Sequence, residues 1–168
     1  MLNKLIHIID TINELIGRNI AWCLLAMVAI TFLNVVLRYG FGIGSIAAQE
    51  SVIYLHAFVF MLGLAYTYKH DAHVRVDVFY ANFSARQKAY VDLLGTLILL
   101  LPFCFYLAFS SWDYTHNSWK LLEGSAEAGG LPLVYILKTL IPIMPLLLAL
   151  QAFSVVLTSI QTITKQYP

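Results

Sequence analysis

The sequence predicts an all-α integral membrane protein: four transmembrane helices preceded by an N-terminal amphipathic helix, with both termini cytoplasmic. Three observations carry that expectation. First, the 168 residues are 60% hydrophobic and only 11% charged, with a mean hydropathy of +0.77, where soluble domains run to roughly 25% charged. Second, four apolar runs, at 20–37, 52–68, 93–109 and 133–157, are nearly free of Asp, Glu, Lys and Arg. A hydrocarbon core about 30 Å thick asks for roughly 20 such residues per helix. A charge at a helix centre costs roughly 2.5–3.5 kcal/mol, against about 0.3–0.6 gained per Leu or Ile. Third, with the N terminus inside, Lys4, Arg18, Lys69, Arg75, Arg86, Lys88 and Lys165 fall on the cytoplasmic side, leaving Arg38, Lys120 and Lys138 outside, as the positive-inside bias requires. The chain reads as one membrane domain, 1–168, with the amphipathic helix at about 2–17 and spans at about 18–38, 47–69, 85–111 and 132–160.

Before the first span, Leu2, Leu5, Ile6, Ile9, Ile12 and Ile16 recur at helical spacing, with Asn3, Lys4, His7, Asp10, Asn13 and Glu14 on the other face. A helix lying at the bilayer surface is expected. No cleavable signal is read at this end. The first span ends in Arg38-Tyr-Gly-Phe-Gly-Ile-Gly44, whose glycines make a short outer turn. Ser45 or a nearby residue then starts the second helix, with Gln49 and Glu50 in its first turns, where the unpaired amides favour a carboxylate; Glu50 is also placed to pair with Arg38. Further along, Gln49, His56 and Gly63 recur every seven residues on one face. Polar and small residues on one stripe mark a helix interface in lipid.

In HVRVDVFY (73–80) the period of two sends His73, Arg75 and Asp77 to one side and three valines to the other, an extended segment with one apolar face. Asp77 is a candidate cap for a turn through Tyr80. Ser84 and Gln87 have the capping-box spacing, so the third helix begins near Ala85. Gly95 and Pro102 lie within it as packing and kink sites. Trp112, Tyr114 and Trp119 read as an outer aromatic belt. A glycine break follows in EGSAEAGG (123–130), then Pro132 at a first helical position. The fourth span carries Lys138 near its outer end, within reach of Glu127, and Pro142 and Pro145 bend it.

Cys23 and Cys104 sit in apolar runs and pack as small hydrophobes. A net charge of +1 points to no nucleic-acid partner. No Walker A loop, HExxH, GxSxG or GxGxxG is present, so the chain is not read as an enzyme and no cofactor is expected. Four spans without an inverted repeat are too few for a complete secondary transporter. A subunit is the simplest reading.

The chain resembles the small membrane subunit, the Q or DctQ-type subunit, of tripartite ATP-independent periplasmic (TRAP) transporters. The likeness rests on NVVLR (34–38), Gln49-Glu50, YKHDAHVRVDVF (68–79), GGLP (129–132) and the region 138–142. It implies a multi-pass protein of a bacterial inner membrane, in contact with lipid. Its partners would be a large membrane subunit, which holds the coupling sodium and the solute, and a periplasmic substrate-binding protein that delivers an organic acid. Under that resemblance the subunit-interface candidates are Arg38, Gln49, Glu50, His56, Gly63, His73, Arg75 and Asp77. Asp113, Glu123, Glu127 and Lys138 are the candidates for docking the binding protein. Two alternatives are a membrane scaffold without transport partners and a b-type cytochrome anchor. The second fits poorly, since His56 lies roughly 13 Å inside its helix and His116 lies beyond the apolar part of the third span.

Overall fold

The computed structural model describes residues 2–73 and 80–164. Its helices are α1 (Leu2–Ile20), α2 (Trp22–Phe41), α3 (Ile46–Lys69), α4 (Ala85–Gly95), a π-helical turn (Thr96–Leu100), α5 (Leu101–Ser110), α6 (Trp112–Leu121) and α7 (Val134–Thr164). No strand occurs among the described residues. Among the described residues four stretches are long and apolar enough to cross a membrane: Leu2–Phe41, Ile46–Lys69, Ala85–Leu121 and Val134–Thr164.

α7 is the axis of the bundle, packing against α1, α3, α4, α5 and α6, while α2 lies against α3. The burial pattern agrees: Leu140, Pro145, Leu148, Gln151, Ala152 and Ser154 of α7 are buried, whereas no residue of α2 is. α1 runs into α2 through Ala21, whose N–H still reaches Gly17 O at 3.2 Å.

The amphipathic helix does not lie alone at a surface. Asn3 Oδ1 accepts from Gln161, Asp10 Oδ1 from Ser154 and Gln151, and Gln151 Oε1 from Asn13, at 2.7–2.9 Å. Partner numbers rise along α1 as they fall along α7, so the two helices are antiparallel. Asn13 is 1% exposed, whereas Leu5, Ile8 and Leu15 are 47–57% exposed. The polar stripe turns inward because hydrocarbon offers Asp10 and Asn13 no hydrogen bond, and α7 does.

Helix ends follow local chemistry. Ser45 accepts from Ala48 N at 3.2 Å, and Gly42 closes α2 in the left-handed region at φ 69°. The Ser84–Gln87 capping box is formed on both sides. α3 ends on Asp71 at φ 55°, with Asp71 N bonded to Tyr68 O and Ala72 N to Thr67 O, the paired bonds of a Schellman end. α6 ends in the same way on Leu122 at φ 44°, ahead of the expected glycines.

Around Pro102, which has no N–H, the third span loosens into the π turn, with Leu101 N on Thr96 O. Thr96 is buried and its hydroxyl meets Tyr68 Oη at 2.8 Å. Beyond the turn, Cys104, Ser111, Thr115 and Ser118 form one buried small-residue face that admits α7 closely. Pro142 leaves Lys138 O without its helical donor, and Thr115 Oγ1 supplies one at 3.3 Å. The third helical stretch continues through the mixed segment to Leu121, and α7 starts at Val134 rather than at Pro132. Pro132 instead packs over Gly124 in the loop, 3.3 Å from where a Cβ would stand.

At Gly17 an added Cβ would lie 2.3 Å from Cγ and Cδ2 of Tyr66 and 2.6 Å from its Cβ, the root of a ring that cannot swing away. Gly17→Ala is expected to cost about 1–3 kcal/mol and to lower the thermal midpoint in detergent. Gly63→Ala, whose Cβ would meet only Ile20 Cδ1 at 3.8 Å, serves as the neutral comparison.

Candidate functional site

Three carboxylates organise the two ends of the bundle. At the end holding the interhelical loops, Glu50 accepts the backbone N–H of Leu131 at 2.6 Å and a short bond from Ser125 Oγ. Glu50 is thus a loop anchor fixing 122–133 to α3, and it is not paired with Arg38, which is exposed at the end of α2. Gly129 bends there at φ 81°, and a Cβ on Gly130 would come 2.4 Å from Ser125 Oγ and 2.7 Å from Glu50 Oε1. Both glycines are therefore required, one for its conformation and one for its size.

The second carboxylate, Glu123, accepts from Lys138 Nζ at 2.6 Å. Lys138 therefore meets Glu123 and not Glu127, and its ammonium also stands 4.0 Å over the Tyr114 ring. The geometry follows from the loop: anchored at Glu50, it brings Glu123 back over the start of α7, with Tyr135 N on Glu123 O at 3.3 Å. The Lys138 ammonium holds the Glu123 carboxyl below its usual range. The aromatic belt is partly spoken for as well. Trp119 Nε1 donates to Thr139 Oγ1 at 2.7 Å and its ring meets Tyr135 edge-on, while Trp112 is 64% exposed. Asp113 and Glu127 are exposed.

At the opposite end, which carries Lys4, Arg18, Lys69, Arg86 and Lys88, Glu14 accepts from Lys69 Nζ at 2.7 Å, with His70 Nε2 2.8 Å from the same oxygen. This pair clasps α1 to the end of α3, beside the Gly17–Tyr66 contact.

Of the α3 stripe, Gln49 and His56 are exposed and Gly63 is half-buried. Ile53 and Phe60, on the same face, are 59% and 61% exposed, and the His56 ring stacks on Phe60 with centroids 6.2 Å apart. His73 is half-buried with its ring 5.9 Å from Tyr68; Arg75 and Asp77, with the turn expected of Asp77, lie outside the described residues. The Asn13–Gln151–Asp10–Ser154 chain was not read from the sequence. A lone amide within an apolar run, Gln151, was the available signal. Likewise, Asn34 Oδ1 and Tyr54 Oη are buried without a hydrogen-bond partner.

Long apolar helices that turn their polar groups toward one another, joined by carboxylate-anchored loops, define a polytopic helical membrane protein. The comparisons give the family. The model of the tripartite ATP-independent periplasmic transporters, DctQ component, matches residues 27–162, and the chain belongs to that family, a membrane transporter component and not an enzyme. It is 31% identical over 107 residues, 64% of its length, to the C4-dicarboxylate TRAP transporter small permease protein DctQ of Vibrio cholerae, of which those residues cover 44%. Over 132 residues it is 29% identical to a putative TRAP transporter small permease protein of Haemophilus influenzae, covering 79% of this chain and 78% of that one. The matched part thus spans less than half the length of the Vibrio protein. No solved structure matches.

Glu50→Ala is expected to release residues 122–133, read as a several-fold faster protease cleavage between α6 and α7, whereas Glu127→Ala leaves the rate unchanged. A second expectation concerns acid. Because the Glu123 carboxyl is held low, its stabilising contribution is complete above the ordinary carboxylate range and disappears as the pH falls through the lowered value. The small difference in thermal midpoint between the unaltered protein and Glu123→Gln should therefore be present at neutral pH and shrink as the pH falls below the ordinary glutamate value of about 4.3.

Proposed function

We propose that this chain is the small permease subunit of a sodium-coupled TRAP transporter, serving as a fixed scaffold that anchors the large membrane subunit and helps receive the substrate-binding protein. The observation that carries this reading is the outward polar face of α3. His56 lies ten residues into a 24-residue spanning helix, roughly 15 Å from its start, and yet points away from its own bundle. Polar and ionisable side chains at that depth face protein or a water-filled cavity, since lipid gives them no partner. A second polypeptide covering Gln49, Ile53, His56 and Phe60 supplies the missing hydrogen bonds and apolar contact.

The sodium and solute sites are assigned to that large subunit. Organic acid uptake is supported by the name of the Vibrio relative, which specifies C4-dicarboxylate. Exposed Asp113 and Glu127 offer acids to the binding protein, whereas Glu123 and Lys138 spend their charges on each other. The cation-rich end is placed in the cytoplasm of a bacterial inner membrane by the positive-inside bias, which puts both termini and the segment with His73, Arg75 and Asp77 on that side.

Co-expression with the large subunit tests the reading. Interhelical hydrogen bonds in membranes are worth about 0.6–1.7 kcal/mol, so His56→Leu with Gln49→Leu should lower the co-purified large subunit about three- to tenfold and reduce uptake in parallel. Leu25→Ala, on the lipid-facing side of α2, should not. An unchanged subunit ratio in the double variant would overturn the assignment of this face.

A further inference from the structure

By sequence, and with His7 counted neutral, the charges of α1 cancel: Lys4 and Arg18 are matched by Asp10 and Glu14. The fold sorts them. Both acids turn inward, Asp10 Oδ1 accepting from Gln151 and Ser154 at 2.7–2.9 Å and Glu14 accepting from Lys69 Nζ at 2.7 Å. Both cations turn outward. Lys4 and Arg18 are exposed, and among the described residues no carboxylate lies within ion-pair distance of either. Lys4, Thr11 and Arg18 recur every seven residues and so share one stripe, with His7 one turn from Lys4 and also exposed. Beside it, about 100° round the helix, runs an aliphatic stripe of Leu5, Ile8, Ile12 and Leu15, 40–57% exposed. Asn19 continues that stripe and donates its amide to Leu15 O at 2.8 Å. The outer surface of α1 is therefore amphipathic, and its charge is of one sign.

We infer that this surface rests on the membrane leaflet at the cation-rich end of the bundle and selects anionic phospholipid there. The aliphatic stripe reaches into the acyl chains, and Lys4 and Arg18 meet the phosphates. Position supports the contact. α2 has 20 residues, about 30 Å at 1.5 Å per residue, enough to cross the hydrocarbon by itself. α1 begins where that crossing ends: Glu14 stands beside Lys69, the last residue of α3, and residues 2–13 run past that point. An uncovered aliphatic stripe beside a cationic one, at headgroup level, is how an amphipathic helix lies on a bilayer. Charge complementarity names the lipid. A zwitterionic headgroup brings an ammonium toward Lys4 and Arg18 together with its phosphate, whereas phosphatidylglycerol brings the phosphate alone. Each near-surface cation favours an anionic leaflet by about fivefold. A protein neighbour fits less well, since the stripe is purely aliphatic and protein interfaces centre on aromatic anchors, of the kind that Phe60 offers on α3.

The test uses the full chain in complex with its large subunit, in vesicles of phosphatidylglycerol and phosphatidylcholine in equal parts, with a benzophenone-bearing amino acid in place of Ile8 on the aliphatic stripe. After irradiation, mass spectrometry of this chain should show phosphatidylglycerol adducts exceeding phosphatidylcholine adducts about five- to tenfold. Lys4→Gln with Arg18→Gln should bring that ratio close to one, and Lys4→Arg with Arg18→Lys should keep it. Raising the salt from about 0.1 to about 1 M, which shortens the Debye length from about 10 to about 3 Å, should shrink the ratio with Lys4 and Arg18 in place. Equal adducts of the two lipids would overturn the proposal, as would a preference that ignores salt or survives the double Gln change. Adducts chiefly to the large subunit would give this face to that protein and overturn the lipid. The ratio of the two subunits, read on the same sample, reports separately on the α3 face.

Discussion

Hydrocarbon gives a polar side chain nothing to bond with, and the inward turn of Asp10, Asn13, Thr96, Gln151 and Ser154 follows from that one constraint. The bundle is organised by where these few groups must go. α7 becomes the axis because it carries Gln151 and Ser154 opposite the polar stripe of α1. Its proline-freed carbonyl at Lys138 is taken up by Thr115. Leu, Ile and Phe side chains are then free to face outward, the reverse of a soluble helical bundle.

The same constraint separates structural charge from functional charge. Glu14, Glu50 and Glu123 each receive donors from a segment distant in sequence, and each thereby fixes one connection to the bundle. Such acids and their partners are satisfied within the chain. Gln49 and His56 are not buried in it, though they share a membrane-spanning helix. The proposed scaffold role uses both kinds: clasps that keep the subunit's own geometry fixed, and an outward polar face for a neighbouring polypeptide to cover.

Much of this architecture was legible one residue at a time. Apolar run lengths gave the four crossings, because the cost of a charge in lipid dominates every other term at those positions. The Ser84–Gln87 spacing gave a capping box, since that motif closes within four residues. Less local features went astray for physical reasons. Glu50 was within reach of Arg38 along the turn, but a loop 75 residues away brought it two hydrogen-bond donors. Lys138 found Glu123 instead of Glu127, because anchoring at Glu50 returns the start of the loop, and not its tip, over α7.

Sequence by itself determined that the chain is a four-span helical membrane protein and that a capping box at Ser84 opens its third crossing, because each depends on composition or on bonds between near neighbours. Only the tertiary structure decided which face of α1 turns inward, which acids are consumed by clasps, and that Gln49 and His56 look outward. Those outcomes rest on contacts between residues far apart in the chain, whose meeting is set by how helices rotate and stack against α7, and no local spacing encodes that rotation.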